Sequence, residues 1–209
     1  IIDYILGSLR ACGVDDICLV KGYLADVLMR DGVRYAVNSD FEKTNMVATL
    51  FCAEHELEHD GDVIVSYSDI IYVPTVVNSL LASEADISVV VDKDWLQQWQ
   101  QRMDDPLSDA ETLKLSPEGL IVELGKKPTS YDDIAGQYTG LIKFSAKGMA
   151  IARKFYHDLD VPGARVEGRA FLDMHRTGFL QAMIDAGIPV HPVWISGGWT
   201  ECDAPEDLL

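Results

Sequence analysis

The chain has 209 residues, 48% of them hydrophobic, and a formal net charge of −17. That length suits one domain with one substantial core, and the acidity excludes a nucleic-acid partner, whose phosphates would need Lys and Arg to neutralise them. The longest apolar runs, such as residues 87–91, are too short to span a bilayer, so a membrane partner is excluded as well.

In chain order, Ile1, Ile5, Leu6 and Leu9 recur at helical spacing before a stop at Gly13. Residues 17–20 read as a buried strand, 24–29 as a short helix and 33–37 as a short strand. Thr44 is placed to cap a helix carrying Met46, Val47, Leu50 and Phe51 and ending near Asp60-Gly61. Strands are predicted at 63–65 and 87–91 with a helix over 74–81 between them. The stretch 104–138 turns polar, with two strand-like pieces at 113–115 and 120–122, and reads as a hairpin insertion on the substrate side. A strand at 140–144, helices at 146–157 and 169–186 and a strand at 190–195 complete the pattern. Continuous apolar strands joined by helices predict an α/β fold with a mostly parallel central sheet, Rossmann-like, covered by helices on both faces. Cys12, Cys18, Cys52 and Cys202 form no CxxC pair, which suits a reduced, cytoplasmic protein.

Two aspartates stand out by position. Asp69 follows the strand at 63–65, and Asp203 follows the last strand within Trp199-Thr200-Glu201-Cys202-Asp203. Ligands of open α/β sheets bind beyond the carboxyl ends of strands, so both can face one crevice. Their hard oxygens suit Mg²⁺, which one or two carboxylates hold together with substrate phosphates. Each also suits a helix cap or a turn. Among the aromatics, Trp95, Trp99, Tyr131, Tyr138, Trp194 and Trp199 could build a cation–π cage or pack as core. Asp92, Asp109 and Glu111 could hold an ammonium group or a sugar hydroxyl. His55-Glu56-Leu57-Glu58-His59 matches the H-E-x-x-H zinc-peptidase pattern. The apolar stripe leaves its histidines on a polar face and no third ligand is apparent, so a solvated helix end is the stronger reading.

The ordered series of segments resembles the sugar-nucleotidyltransferase superfamily, most closely its phosphocholine and 2-aminoethylphosphonate cytidylyltransferase branch. The series runs through Gly13-Val14-Asp15-Asp16-Ile17, Lys21-Gly22-Tyr23, Thr44-Asn45, Tyr67-Ser68-Asp69-Ile70-Ile71-Tyr72 and Asp92-Lys93-Asp94-Trp95. It continues through Asp109-Ala110-Glu111, Gly125-Lys126-Lys127-Pro128, Gln137-Tyr138-Thr139-Gly140 and Trp199-Thr200-Glu201-Cys202-Asp203. The resemblance implies that Asp69 and Asp203 hold the catalytic Mg²⁺ and that Lys126 or Lys127 approaches the acceptor phosphate. It places Asn45 and Lys21 near the nucleotide, and Asp92, Glu111, Tyr138 and Trp199 near the acceptor. Gln137 stands where the family often has glutamate, and Cys202 where it has an aliphatic residue.

The implied reaction is transfer of a nucleoside monophosphate from CTP or another NTP to a small phosphorylated acceptor, phosphocholine or 2-aminoethylphosphonate. Pyrophosphate leaves, and catalysis is chiefly positioning and charge neutralisation. A sugar 1-phosphate acceptor and a non-catalytic ligand-binding homologue are the alternatives, and a homo-oligomer is left open. The family also carries a Gly-rich basic loop and a Pro-Lys element ahead of the segments matched here. Ile1-Ile2-Asp3-Tyr4 aligns with the helix after them, so residues 1–209 read as one nucleotidyltransferase-like domain without that loop, which is expected to precede them.

Overall fold

A computed structural model describes residues 1–202 and residue 207. Helix α1 (Ile2–Ala11) leads into the parallel strand pair β1 (Cys18–Lys21) and β2 (Arg34–Val37), followed by α2 (Met46–Phe51). Strands β3 (Val63–Ser66) and β4 (Ile70–Tyr72) precede α3 (Pro74–Leu81), β5 (Ile87–Asp92) and α4 (Trp95–Arg102). The hairpin β6 (Leu113–Leu115) and β7 (Ile121–Leu124) comes next, then β8 (Gln137–Phe144) and α5 (Ala146–Leu159). The small pair β9 (Arg165–Val166) and β10 (Arg169–Ala170), α6 (Arg176–Asp185), β11 (His191–Ile195) and β12 (Trp199–Glu201) close the described chain.

The main sheet runs in the order β11-β5-β8-β3. Strand β11 is parallel to β5, while β8 is antiparallel to both β5 and β3, so three of the four strands point one way with β8 reversed between them. Every residue of β5 and β8 is buried; β5 carries the apolar run Val89-Val90-Val91 that burial on both faces favours, while β8 also buries Gln137, Thr139 and Lys143. Side-chain alternation divides the core. Val89 and Val91 face a cluster with Met149, Phe179 and Met183 of α5 and α6, whereas Val90 faces Leu9, Val77 and Trp99 of α1, α3 and α4. Helices therefore cover both faces, as the sequence predicts. Gly148 is required for this packing, because a Cβ there would lie 1.9 Å from the carbonyl oxygen of Asp86.

Several local expectations are corrected. Residues 24–29 form turns, not a helix, and Leu24 takes a positive φ of 50° that a helix does not accommodate. The helix after Thr44 ends at Phe51, with a separate 3-10 turn over Glu54–Leu57. Its cap is Asn45, whose side-chain oxygen accepts from the Met46 N–H at 2.8 Å, while the Thr44 hydroxyl donates to the Asp40 carbonyl. The helix expected from residue 169 begins at Arg176, after the β9–β10 pair and a 3-10 turn. Glu167 and Gly168 both have positive φ there, which turns the chain before helical geometry can start. Strand β4 and helix α4 have no counterpart in the sequence reading.

Candidate active site

A cavity of about 530 Å³ lies between β1 and β3, roofed by α2, and opens toward the loop that follows β3. Cys18, Leu19 and Val20 line one wall and residues 63–66 the other. Strand β3 pairs with β8 on one side only and β1 with β2 on one side only, so two strand edges face each other across this slot. At the loop end stand Tyr67, Ser68, Asp69 and Arg176, with Thr44, Asn45 and Met46 above them.

Asp69 is exposed, immediately ahead of β4. Strand β4 pairs antiparallel with β12, Glu201 opposite Ile70, and the ladder extends one residue further: the N–H of Cys202 donates to the Asp69 carbonyl at 2.8 Å. The chain end is thus held against the Asp69 backbone up to Cys202. Asp203, the other expected metal ligand, lies outside the described residues.

Tyr67 packs its ring against β8 at Gly140, where a Cβ would come within 2.6 Å of the ring, and Gly140 itself holds a φ of 86°. The Tyr67 and Tyr138 rings meet edge to face, with centroids 6.0 Å apart. The Arg176 guanidinium stands over the Tyr67 ring at 4.2 Å. Arg176 is only 9% exposed, and its Nε and Nη1 are buried without a hydrogen-bond partner. Burial pushes the Tyr67 phenol up, against the nearby Arg176 charge, and pushes Tyr138 well above the ordinary phenol range. Glu111 lies two residues ahead of β6, beside this pair. Burial, with Glu167 and Asp109 nearby, raises its carboxyl to about 6.

The other expected site residues sit elsewhere or are already engaged. Lys126 pairs with Glu123 at 3.0 Å, and the Lys127 ammonium donates to the carbonyls of Leu107 and Ser108, so neither points into the cavity. The Lys21 ammonium packs over the Tyr35 ring at 4.0 Å and donates to the Met29 sulfur. Asn45 lines the cavity, but its amide caps α2 and donates to Asp173. Asp92 is a structural joint. It is 1% exposed; one oxygen accepts from the N–H groups of Asp94 and Gly197, and the other accepts from the Trp199 indole at 2.8 Å. Trp95, Trp99 and Trp199 pack into the core on the α3–α4 face, with ring centroids under 6 Å apart from Trp95 to Trp99 (5.8 Å) and from Trp99 to Trp199 (5.9 Å), rather than forming a cage. Asp109 accepts from the Trp99 indole at 2.9 Å. Among the acids and aromatics named for the acceptor, Glu111 and Tyr138 remain beside the site.

The H-E-x-x-H segment does not make a zinc helix. It spans the 3-10 turn Glu54–Leu57, so His55 and His59 are not stacked at the α-helical i, i+4 spacing that would aim both at one ion. His55 is exposed beside Glu56, Glu56 also pairs with Arg34, and the His59 ring accepts from the Gly61 N–H. No group of three or more metal-ligating side chains occurs among the described residues. Among the described residues, no helix is long and apolar enough to cross a membrane.

The Arg176–Tyr67 stack is the part that sequence reasoning missed. The sequence gives it little signal, because an arginine inside an apparent helix ordinarily reaches solvent. Its burial follows from the late start of α6, which puts Arg176 in the first turn, directly behind Tyr67.

A doubly covered α/β sheet, with a slot between two strand edges and an exposed carboxylate at the loop end of that slot, is a fold of the nucleotidyltransferase type, as its structural neighbours show. Two solved structures share it across essentially the whole chain. An inositol-1-phosphate CTP transferase from T. maritima superimposes with a TM-score of 0.72 at 23% identity, covering 100% of this chain and 78% of that one. A protein from Bacillus anthracis described as a glucose-1-phosphate thymidylyltransferase, in complex with sucrose, gives a TM-score of 0.70 at 17% identity over 99% of this chain and 78% of that one. No protein-family model matches. In sequence, the chain is 41% identical over 217 aligned positions to the CTP:phosphoglutamine cytidylyltransferase of Campylobacter jejuni, covering 100% of this chain and 85% of that protein. The chain belongs to the cytidylyltransferase family of that relative.

Proposed function

We propose that this protein transfers the cytidylyl group of CTP to a small phosphorylated amino compound, with phosphoglutamine as the acceptor, and that Mg²⁺ held by Asp69 and Asp203 assists. The acceptor follows the relative that spans the whole chain. The geometry that carries the reading is the exposed Asp69 at the loop end of the slot, tied by its own carbonyl to Cys202, the residue before Asp203.

The donor set suits the metal. Asp69 offers a hard carboxylate beside a cavity whose other acids include Asp16, Glu56 and Asp62, and whose Arg34 is already paired with Asp16 and Glu56. A triphosphate entering such a lining needs added positive charge. Bound Mg²⁺ would supply charge neutralisation on the transferring phosphates. The chain's own contribution is placement. The β3–β4 loop positions Asp69, and the β4–β12 ladder holds the chain beside it as far as Cys202. An oxygen of the acceptor's phosphoryl group, already ionised, attacks the α-phosphorus of CTP. A new P–O–P linkage forms as the bond to the β-phosphate oxygen breaks, and pyrophosphate leaves with that electron pair.

Pyrophosphate release from CTP by the intact enzyme tests the acceptor, using phosphoglutamine, phosphocholine, 2-aminoethylphosphonate and a hexose 1-phosphate in parallel. Phosphoglutamine is expected to give the highest kcat/KM. A hexose 1-phosphate with UTP or dTTP as the best pair would reject the acceptor reading while leaving the reaction class.

A further inference from the structure

Two ionisable groups of opposite sign flank the Tyr67–Tyr138 pair without partners of their own. Arg176 is nine-tenths buried, lines the cavity, and has Nε and Nη1 unpaired; no salt bridge reaches it among the described residues. Leaving a buried guanidinium unpaired is costly, and an anion is what relieves it. Glu111 is mostly buried, receives no hydrogen bond among the described residues, and has only acids, Glu167 and Asp109, as charged neighbours. A cation is what relieves it. The chain brings the two together: the carbonyl of Thr112, next to Glu111, accepts from the Gly125 N–H at 3.1 Å, and Gly125 abuts Thr177, the residue after Arg176.

Position ties that locality to the acceptor. Arg176 opens α6, and α6 packs under the β6–β7 hairpin: Gln181 accepts from the Leu124 N–H at 2.7 Å, and Gly125 approaches Thr177 so closely that a Cβ would lie 2.6 Å from it. Glu111 enters the same hairpin. Arg176 stacks on Tyr67, two residues before Asp69, at most about 7 Å of backbone from it.

Resting on the cytidylyl-transfer reading above, we infer that Arg176 and Glu111 form an amino-acid subsite, Arg176 taking the acceptor's α-carboxylate and Glu111 its α-ammonium, while the phosphoryl end lies toward Asp69. The subsite selects a zwitterion. A polyol or hexose phosphate satisfies neither group, and phosphocholine or 2-aminoethylphosphonate carries no carboxylate for Arg176. Specificity of this kind comes from buried charges left unpaired by the wrong ligand.

The test pairs variants of the intact enzyme with trimmed acceptors. Phosphorylated 4-aminobutanamide is phosphoglutamine without its α-carboxylate, and phosphorylated glutaramic acid lacks only the α-ammonium. Arg176→Met is expected to lower kcat/KM for phosphoglutamine on the order of 10- to 100-fold, with KM for CTP unchanged and little further loss on the acceptor without the carboxylate. Arg176→Lys should recover part of the loss. Glu111→Gln should show the mirror pattern, losing on phosphoglutamine but not on the acceptor without the ammonium. Equal losses on complete and trimmed acceptors, or a KM for CTP that rises in step, would mean a structural or nucleotide role and overturn the subsite. Wild-type enzyme that ignores phosphoglutamine but accepts a hexose 1-phosphate overturns the function reading itself, an outcome separate from equal losses in an enzyme that uses phosphoglutamine.

Discussion

Asp69 and Glu111 are both acids near the end of the sheet, yet opposite surroundings give them opposite expected behaviour on substitution. Asp69 is exposed and buries no contact that folding depends on, so Asp69→Asn should leave the unfolding midpoint unchanged. It should lower kcat/KM by about 2–4 kcal/mol of transition-state stabilisation, read from pyrophosphate release at saturating Mg²⁺; near-normal turnover would remove it from the metal site. Glu111 holds its proton up to about 6 in the fold, against 4.5 for the ordinary group. Its contribution to stability is therefore fully present below about pH 4.5 and is lost as the pH rises through about 6, leaving an ionised carboxylate that costs on the order of 1–2 kcal/mol at neutrality. Urea unfolding from pH 4.5 to 7.5 should show Glu111→Gln gaining on the wild type across that window and then holding a constant advantage. A constant difference at every pH would exclude the burial effect. Both residues were legible from the sequence as candidates. Their roles were not, because an acid after a strand reads alike whether it meets solvent, a ligand or a set of N–H donors from its own chain. Asp92 is the last of these.

Among the elements, Asp92 shows what joins β5 to the chain end. Three donors converge on its carboxylate, from Asp94, Gly197 and Trp199, and two of them belong to the segment that carries β12. Asp92→Ala should strand these donors and destabilise the protein by about 3 kcal/mol or more, measured by urea unfolding. Asp92→Asn, which keeps one acceptor oxygen, should cost less. A change within experimental error in both would mean that the joint relaxes without loss. The elements most visible in the sequence were those whose pattern is set locally: α3 with Pro74 at its first turn, β5 with its Val89-Val90-Val91 run, and the β6–β7 hairpin. The ladder between β4 and β12 was not visible, since each strand has three residues and they meet only through the fold. The 24–29 segment has helix-like apolar spacing but is taken up by turns. Helix α4 went unread because its Gln-rich sequence buries little beyond Trp95 and Trp99.

For the whole molecule, the layered α/β plan could be read from the order of apolar strands and helices, and the reversed β8 could not, because direction in a fully buried strand leaves no mark on its composition. The slot between β1 and β3 also has a consequence for how a polypeptide of residues 1–209 behaves in solution. In an antiparallel partnership only alternate amides of a strand point at the neighbour, so β3 carries N–H groups that β8 does not engage. Such an edge is a template for intermolecular strand addition. Hydrogen exchange followed by NMR should find protection alternating along residues 63–66 in dilute samples, with the unprotected amides becoming slower as the protein is concentrated and sedimentation revealing larger species. Uniform protection at every concentration would mean that the edge is already closed. If the alternation is seen, colloidal stability at high concentration depends on the unengaged amides of one four-residue strand rather than on the 17 negative charges that the chain carries in excess.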